Sequence, residues 1–242
     1  MENTETKKDI IEQVAIVQRD KETYAIAPHI PGGITDAATL RKIADISDKY
    51  NCKALKLTSA QRIALVGIAA ENIEDVWRDL GMEKGQAIGL CVRSVKICPG
   101  TTFCKRAKQD SVSLGLALDK RYHGRSLPGK LKIGVSGCPN NCAESCVKDI
   151  GFMGSNNGYT VMVGGYASGT GRLAEVICTE KSEQECLELT EKIIDVYEKV
   201  AKRGQRLGRL LNKIGTENFR RALDCSGDEY EQIIQELIEA NA

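Results

Sequence analysis

Apolar and polar positions alternate along this chain with two periods, and the switches between them mark the elements. Short β-type runs, IIEQVAIVQ and TYAIA, lie between Ile10 and Ala27, and Pro28, Pro31, Gly32 and Gly33 then break the chain. Leu40, Ile43 and Ala44 recur at i, i+3 and i+4, which predicts a helix capped by Thr35 and running to about Tyr50. Strands are expected over 53–58 and 62–68. Asn72 then opens a second helix, with Glu74 and Asp75 in its first turn and Gly81 beyond its end. Strand, helix, strand, strand, helix is the order of a small α+β unit of ferredoxin-like type, covering about residues 10–85.

From Ala87 the chain is expected to run as a strand into Cys98. Val112, Leu116 and Leu118 give helical spacing between Cys104 and about Tyr122. The stretch from Lys130 to Val135 alternates cleanly: Leu131, Ile133 and Val135 share one face, Lys130 and Lys132 the other. Two more strands are expected, 158–163 and 173–179, joined by the loop GGYASGTG. Ser182 and Glu185 form a capping box ahead of a helical tail that continues through RLGRLLNKIG and EYEQIIQELIEA. The fold class is therefore α+β, with a half-domain at 10–85 and a second α+β domain at 86–242 ending in helices. The polar residues 1–9 are expected to be a disordered tail.

Composition narrows the function classes. Lys+Arg number 34 against 33 Asp+Glu, a net charge of +1, so no global field favours nucleic acid or an anionic membrane. Aromatics make up 5%, too few for a stacking platform for single strands. No apolar run is long enough to span a bilayer, and the first nine residues lack the apolar core of a signal peptide. These features lead us to expect a cytoplasmic protein. In a reducing compartment, ten cysteines argue for metal ligation over disulfides. The two histidines, His29 and His123, make a His-rich zinc site or an ordinary haem a poor match. Both read as surface or loop residues, and Trp77 and Tyr50 as core aromatics.

The cysteines concentrate the chemistry. Cys98-Pro-Gly-Thr-Thr-Phe-Cys104 and Cys138-Pro-Asn-Asn-Cys142 are two pairs, with Cys146 close behind. Proline favours the first position of a helix. Pro139 there would make Cys138 a cap and put Cys142 in the first turn, and Cys104 would stand at the start of its own helix. Two helix N-termini would then face one spot and favour thiolates. Four such cysteines can hold a [4Fe–4S] cluster or a zinc ion. The C-x5-C and C-x3-C spacings match neither a zinc ribbon nor a small ferredoxin. Cys52, Cys91, Cys178, Cys186 and Cys225 read as small buried hydrophobes.

The stretches VRSVKICPGTTFCKRAKQDS, LPGKLKIGVSGCPNNCAESCVKDIGFMG and YTVMVGGYASGTGR, in this order, resemble the sirohaem- and [4Fe–4S]-dependent sulfite and nitrite reductases. LTSAQRIALVGI is similar to that family's ferredoxin-like half-domain, and the pattern covers about residues 10–215. The resemblance implies that Cys98, Cys104, Cys138 and Cys142 ligate one [4Fe–4S] cluster, and that Cys142 also bridges to the sirohaem iron. It implies an anion pocket of Arg62, Arg93, Lys130 and Lys132. Arginine holds an oxyanion bidentately; lysine can also give up a proton. Many relatives read Thr-x-Arg-Gln where this chain has Thr58-Ser-Ala-Gln61-Arg62, an order similar to that of NADH-dependent nitrite reductase large subunits. The eight carboxylates of sirohaem make Lys105, Arg106, Lys108 and Arg172 candidate contacts, with the backbone of 164–171 beside them. Nucleotide binding is the rival reading of those glycines, but no strand–turn–helix context surrounds them.

By this resemblance the chain is expected to reduce sulfite to sulfide or nitrite to ammonia, and the choice between the two stays open. Large relatives fuse two copies of the unit, whereas one copy is found here, with no flavin or nicotinamide fingerprint. Electrons are then expected from a separate ferredoxin or flavoprotein. In the fused relatives one copy supplies the cysteines and the other the cations, so a homodimer with shared sites is expected. The alternative is a non-catalytic electron-transfer or redox-sensing protein without sirohaem.

Overall fold

The computed structural model describes residues 8–242, and residues 1–7 of the expected tail lie outside them. The chain forms two compact units, the first ending at Gly89 and the second running from Leu90 to Ala242.

In the first unit, strands β1 (Ile16–Val17), β2 (Thr23–Ile26), β3 (Ala54–Leu57) and β4 (Ile63–Ala69) form an antiparallel sheet in the order β1-β2-β4-β3. Helices α1 (Ala37–Lys49) and α2 (Ile73–Leu80) complete it. The cap of α1 is Asp36, whose carboxylate accepts from Thr39 N at 2.7 Å, and not Thr35 as the sequence suggested. The buried stripe also differs from the expected one: Ile43, Ile46 and Ser47 face the core, whereas Leu40 and Ala44 are exposed. Gly81 ends α2 in the left-handed region, as a helix-terminating glycine should. Trp77 is buried, and its indole N–H donates to Gln13 O at 2.8 Å.

In the second unit, five strands stand in sequence order: β5 (Val92–Ile97), β6 (Leu131–Ser136), β7 (Ile150–Ser155), β8 (Gly158–Val163) and β9 (Glu175–Lys181). The β5–β6 and β6–β7 pairs are parallel and the rest antiparallel. Leu131, Ile133 and Val135 are fully buried in one core with Ile150, Phe152, Leu114 and Leu118. That core also takes the inner faces of α4 (Ser111–Tyr122), α5 (Glu183–Val200), α6 (Leu207–Ile214), α7 (Thr216–Asp224) and α8 (Gly227–Ala240). The Ser182–Glu185 capping box at the start of α5 is present.

Strand β7 was not anticipated, because Gly151 and Gly154 interrupt IGFMGS and glycine disfavours strand interiors. The structure shows why glycine stands there. The connection from β6 to β7, residues 137–149, lies flat on the sheet face opposite the core. A Cβ on Gly151 would come within 2.3 Å of Ser145 O, and one on its register partner Gly134 within 2.7 Å of Lys148 Cγ. The two glycines form a shallow channel that the loop fills.

Gly151→Ala is accordingly expected to displace this loop and destabilise the protein by about 1–3 kcal/mol. The control, Gly169→Ala, meets no atom within 4 Å. Thermal denaturation of the two variants checks this: an unchanged midpoint for Gly151→Ala would show that the channel is not filled as described.

Candidate metal centre and anion face

Parallel pairing brings the first cysteine of each motif together. Cys98 directly follows the end of β5, where Ile97 pairs with Val135, and Cys138 lies two residues past Ser136, the end of β6. Cys98 N donates to Val135 O at 3.1 Å. The Gly137 amide donates to Cys98 Sγ at 3.1 Å. Gly137 O accepts from Lys108 N (2.8 Å) and Gln109 N (3.0 Å), which stitches the loop carrying Cys104 to the loop carrying Cys138. Gly100 adopts a φ of +56° and packs on Ser111, where a Cβ would meet Ser111 Oγ at 2.6 Å.

The expected helix N-termini are absent at these cysteines. Cys104 closes a single turn, α3 (Gly100–Phe103), from its C-terminal side, and α4 begins at Ser111, capped by Asp110. Residues 138–144 form two successive turns, with Asn141 N on Cys138 O (3.1 Å) and Glu144 N on Asn141 O (2.8 Å). Asn141 and Glu144 both take a positive φ. The turns are held by side chains instead of a helix. Asn141 Oδ1 accepts from Ser145 N at 2.7 Å, Ser136 Oγ accepts from Ala143 N at 3.1 Å, and the Ser136 and Ser145 hydroxyls meet at 2.9 Å. Asn141 Nδ2 donates to Cys146 Sγ at 2.7 Å, so Cys146 serves this scaffold. Of the ten cysteines, all free thiols, Cys142 alone is exposed; Cys138 is buried and Cys98 and Cys104 are half-buried. Cys91 and Cys186 are buried, and Cys52, Cys178 and Cys225 are half-buried.

The face of β6 away from the core carries Lys130 and Lys132, as the alternation predicted. Ser94 and Lys96 of β5 pair in register with Lys132 and Gly134. Arg93 is the extra residue where that register slips, a bulge that re-aims its side chain. Burial lowers the Lys132 ammonium below the ordinary lysine range, and Lys148, Arg206 and Lys130 nearby push it the same way. Lys130 is lowered by burial and by Arg206 and Arg93, and Arg93 by burial first. One buried anion stands among these cations. Asp149 accepts Lys132 N at 2.8 Å and a fork from Arg206, Nε at 3.1 Å and Nη2 at 2.5 Å. Burial drives its carboxyl upward, against the pull of that fork. Two residues after Cys142, Glu144 bridges Lys96 (2.8 Å) and Lys148 (2.9 Å), which hold its carboxyl at about 2.

Lys96, Lys148, Asp149 and Arg206 were not singled out in the sequence. The alternation of Ser94 and Lys96 against Val95 and Ile97 was a readable signal for the first. Arg206 carries no local signal, because its partner lies 57 residues away. Arg62 belongs to the first unit, where it is buried at the start of β4. Its amide donates to Thr58 Oγ1 at 3.1 Å and its side chain packs against Gly85. Arg172 is engaged internally by Asn212, Gly164 O, Leu173 O and Glu175. Lys105, Arg106 and Lys108 are exposed. The donor set fits the expected groups: four thiols on stitched loops for a cluster, and a half-buried cation excess for a polyanion.

Comparison with known proteins agrees with this geometry. The nitrite and sulphite reductase 4Fe-4S domain matches residues 88–230, and the nitrite/sulfite reductase ferredoxin-like half domain matches residues 16–83. An assimilatory-type sulfite reductase from Nitratidesulfovibrio vulgaris is 39% identical over 209 residues, 86% of this chain and 96% of that protein. An NAD(P)H nitrite reductase from Bacillus subtilis is 38% identical over 92% of this chain, which spans only 28% of that longer protein. The solved structure of Mycobacterium tuberculosis NirA superposes with a TM-score of 0.75 at 25% identity, covering 87% of this chain and 40% of that one. No helix among the described residues is long and apolar enough to cross a membrane. The chain belongs to the nitrite and sulfite reductase family, the sirohaem- and [4Fe–4S]-dependent enzymes, and one copy of each family domain matches within it.

Proposed function

We propose that this chain reduces sulfite to sulfide or nitrite to ammonia, with six electrons taken from a separate donor, and that two copies share each site. The observation that carries the reading is the division of β6 between two chemistries, candidate cluster cysteines at its C-terminal exit and half-buried cations at its start. Sulfite, six electrons and eight protons give hydrogen sulfide and three waters; nitrite gives ammonium and two waters. When bound, sirohaem supplies the iron that takes the substrate, and the cluster supplies the electron store beside it.

The protein's part is charge and protons. Arg93 and Lys130 neutralise the oxyanion. Lys132 donates protons to departing oxygens, a role suited to an ammonium whose acidity burial and like charges have raised. The ten cysteines, with no disulfide among the described residues, suit a reducing cytoplasm.

What supports sharing between copies is the spacing along β6. Lys132 and Cys138 are six positions apart, about 20 Å if extended throughout. The loop 143–148 covers the sheet face between them. The cysteines of one copy and the cations of a second then meet across a two-fold axis.

The first test is turnover of sulfite and of nitrite by anaerobically purified protein with reduced methyl viologen. A sirohaem spectrum with turnover of either substrate is expected; a cluster shoulder alone, without turnover, would identify a simple electron carrier. Lys132→Ala is expected to lower turnover by roughly 10²–10³ with both cofactors retained. Because the folded pKa of Lys132 is depressed, the wild-type rate should fall as pH rises through that value. Lys132→Arg, which cannot deprotonate, should lose this dependence, and a wild-type rate flat to the ordinary lysine range would contradict the role. Finally, Lys130→Ala/Lys132→Ala protein mixed with Cys142→Ala protein should regain activity after subunit exchange. Exchange without recovery would place both residue sets in one chain's site.

A further inference from the structure

The loop that delivers Cys104 presents an outward surface of its own. Phe103, immediately before the cysteine, is 70% exposed, an unusual placement for a large aromatic. Lys105, Arg106 and Lys108 follow it, and all three are exposed. From Cys98 to Gln109 the chain contains no acidic residue, so this loop carries a local charge of +3 in a protein whose net charge is +1. Among the described residues these three side chains have no ion-pair partner. The nearest carboxylate in sequence, Asp110, caps α4 through Val112 N and Ser113 N and accepts from Thr102 Oγ1.

The loop is exposed but firmly held. Cys104 N donates to Gly100 O at 2.8 Å, Ala107 N donates to Cys104 O at 3.1 Å, and Gly137 O accepts from Lys108 and Gln109. Gln109 Nε2 donates to Ser155 O at 2.8 Å. A firmly held, exposed apolar anchor followed closely by three exposed cations has the composition of a small protein-binding patch. Phe103 and Lys105 directly flank Cys104, a proposed cluster ligand.

We propose that Phe103, Lys105, Arg106 and Lys108 form the docking surface for the electron donor, an acidic one-electron carrier protein. This rests on the reading of Cys104 as a cluster ligand. It gives the three cations a protein partner in place of the sirohaem carboxylates expected from the sequence. Long-range attraction between the cations and an acidic carrier speeds encounter, and Phe103 fixes the docked position. The reduced carrier would then pass one electron at a time to the cluster that Cys104 would help to hold. Six such passages, with eight protons from solvent, complete one substrate reduction.

The test compares two reductants on the intact holoprotein: reduced methyl viologen, a small cation, and a reduced acidic [2Fe–2S] ferredoxin as the probe carrier. Phe103→Ser should keep the wild-type viologen rate while its KM for ferredoxin rises. The triple variant K105E/R106E/K108E should keep both cofactor absorbances, raise the ferredoxin KM by about tenfold or more, and lose the steep decline of ferredoxin turnover with salt. Unchanged ferredoxin kinetics in both variants would overturn the proposal. So would loss of the sirohaem bands in the triple variant, which would return those cations to the cofactor. Failure of the wild-type protein with viologen itself would instead count against the enzymatic reading.

Discussion

The close approach of the 137–149 loop to the glycine channel on β6 and β7 is the constraint on which the site depends. Backbone lies against backbone there, and a methyl group on Gly134 or Gly151 would meet Lys148 or Ser145 well inside contact distance. The loop can therefore leave the end of β6, turn twice through Cys138 and Cys142, and return over the sheet to start β7 parallel to β6. Parallel strands usually need a helix for that return. Here a loop held by Ser136, Asn141 and Ser145 replaces it, which keeps the cysteines at the rim and Cys142 exposed.

The same loop organises the electrostatics. Its last residues, Lys148 and Asp149, lie beside the start of β6, so one segment carries two candidate cluster ligands at one end and part of the cation set at the other. Asp149 holds the Lys132 amide and the Arg206 guanidinium together in a fully buried site. A carboxylate buried without that fork would be strongly unfavourable. The cations beyond it stay in excess, which suits an anionic ligand.

Much of this was legible in the sequence, for identifiable reasons. The alternation of Lys130 to Val135 placed two lysines on one face, because period-two patterning depends on the backbone alone. The cysteine spacing and its neighbours pointed to the family. The helix caps at the cysteines were misread, since a proline after cysteine serves a turn as readily as a helix start. Strand β7 was missed because its glycines answer to a tertiary contact with residues 134–148, not to local propensity. Arg206 and Asp149 were invisible for the same reason: their pairing spans 57 residues.

The central claim is that Cys142, the one exposed thiol of the four, joins the cluster to the catalytic iron. Mössbauer spectroscopy of ⁵⁷Fe-enriched protein, wild type against Cys142→Ser, addresses it most directly. The account predicts magnetic coupling between the cluster irons and the sirohaem iron in the wild type, lost in Cys142→Ser and retained in Cys186→Ser. Full coupling in Cys142→Ser would contradict it.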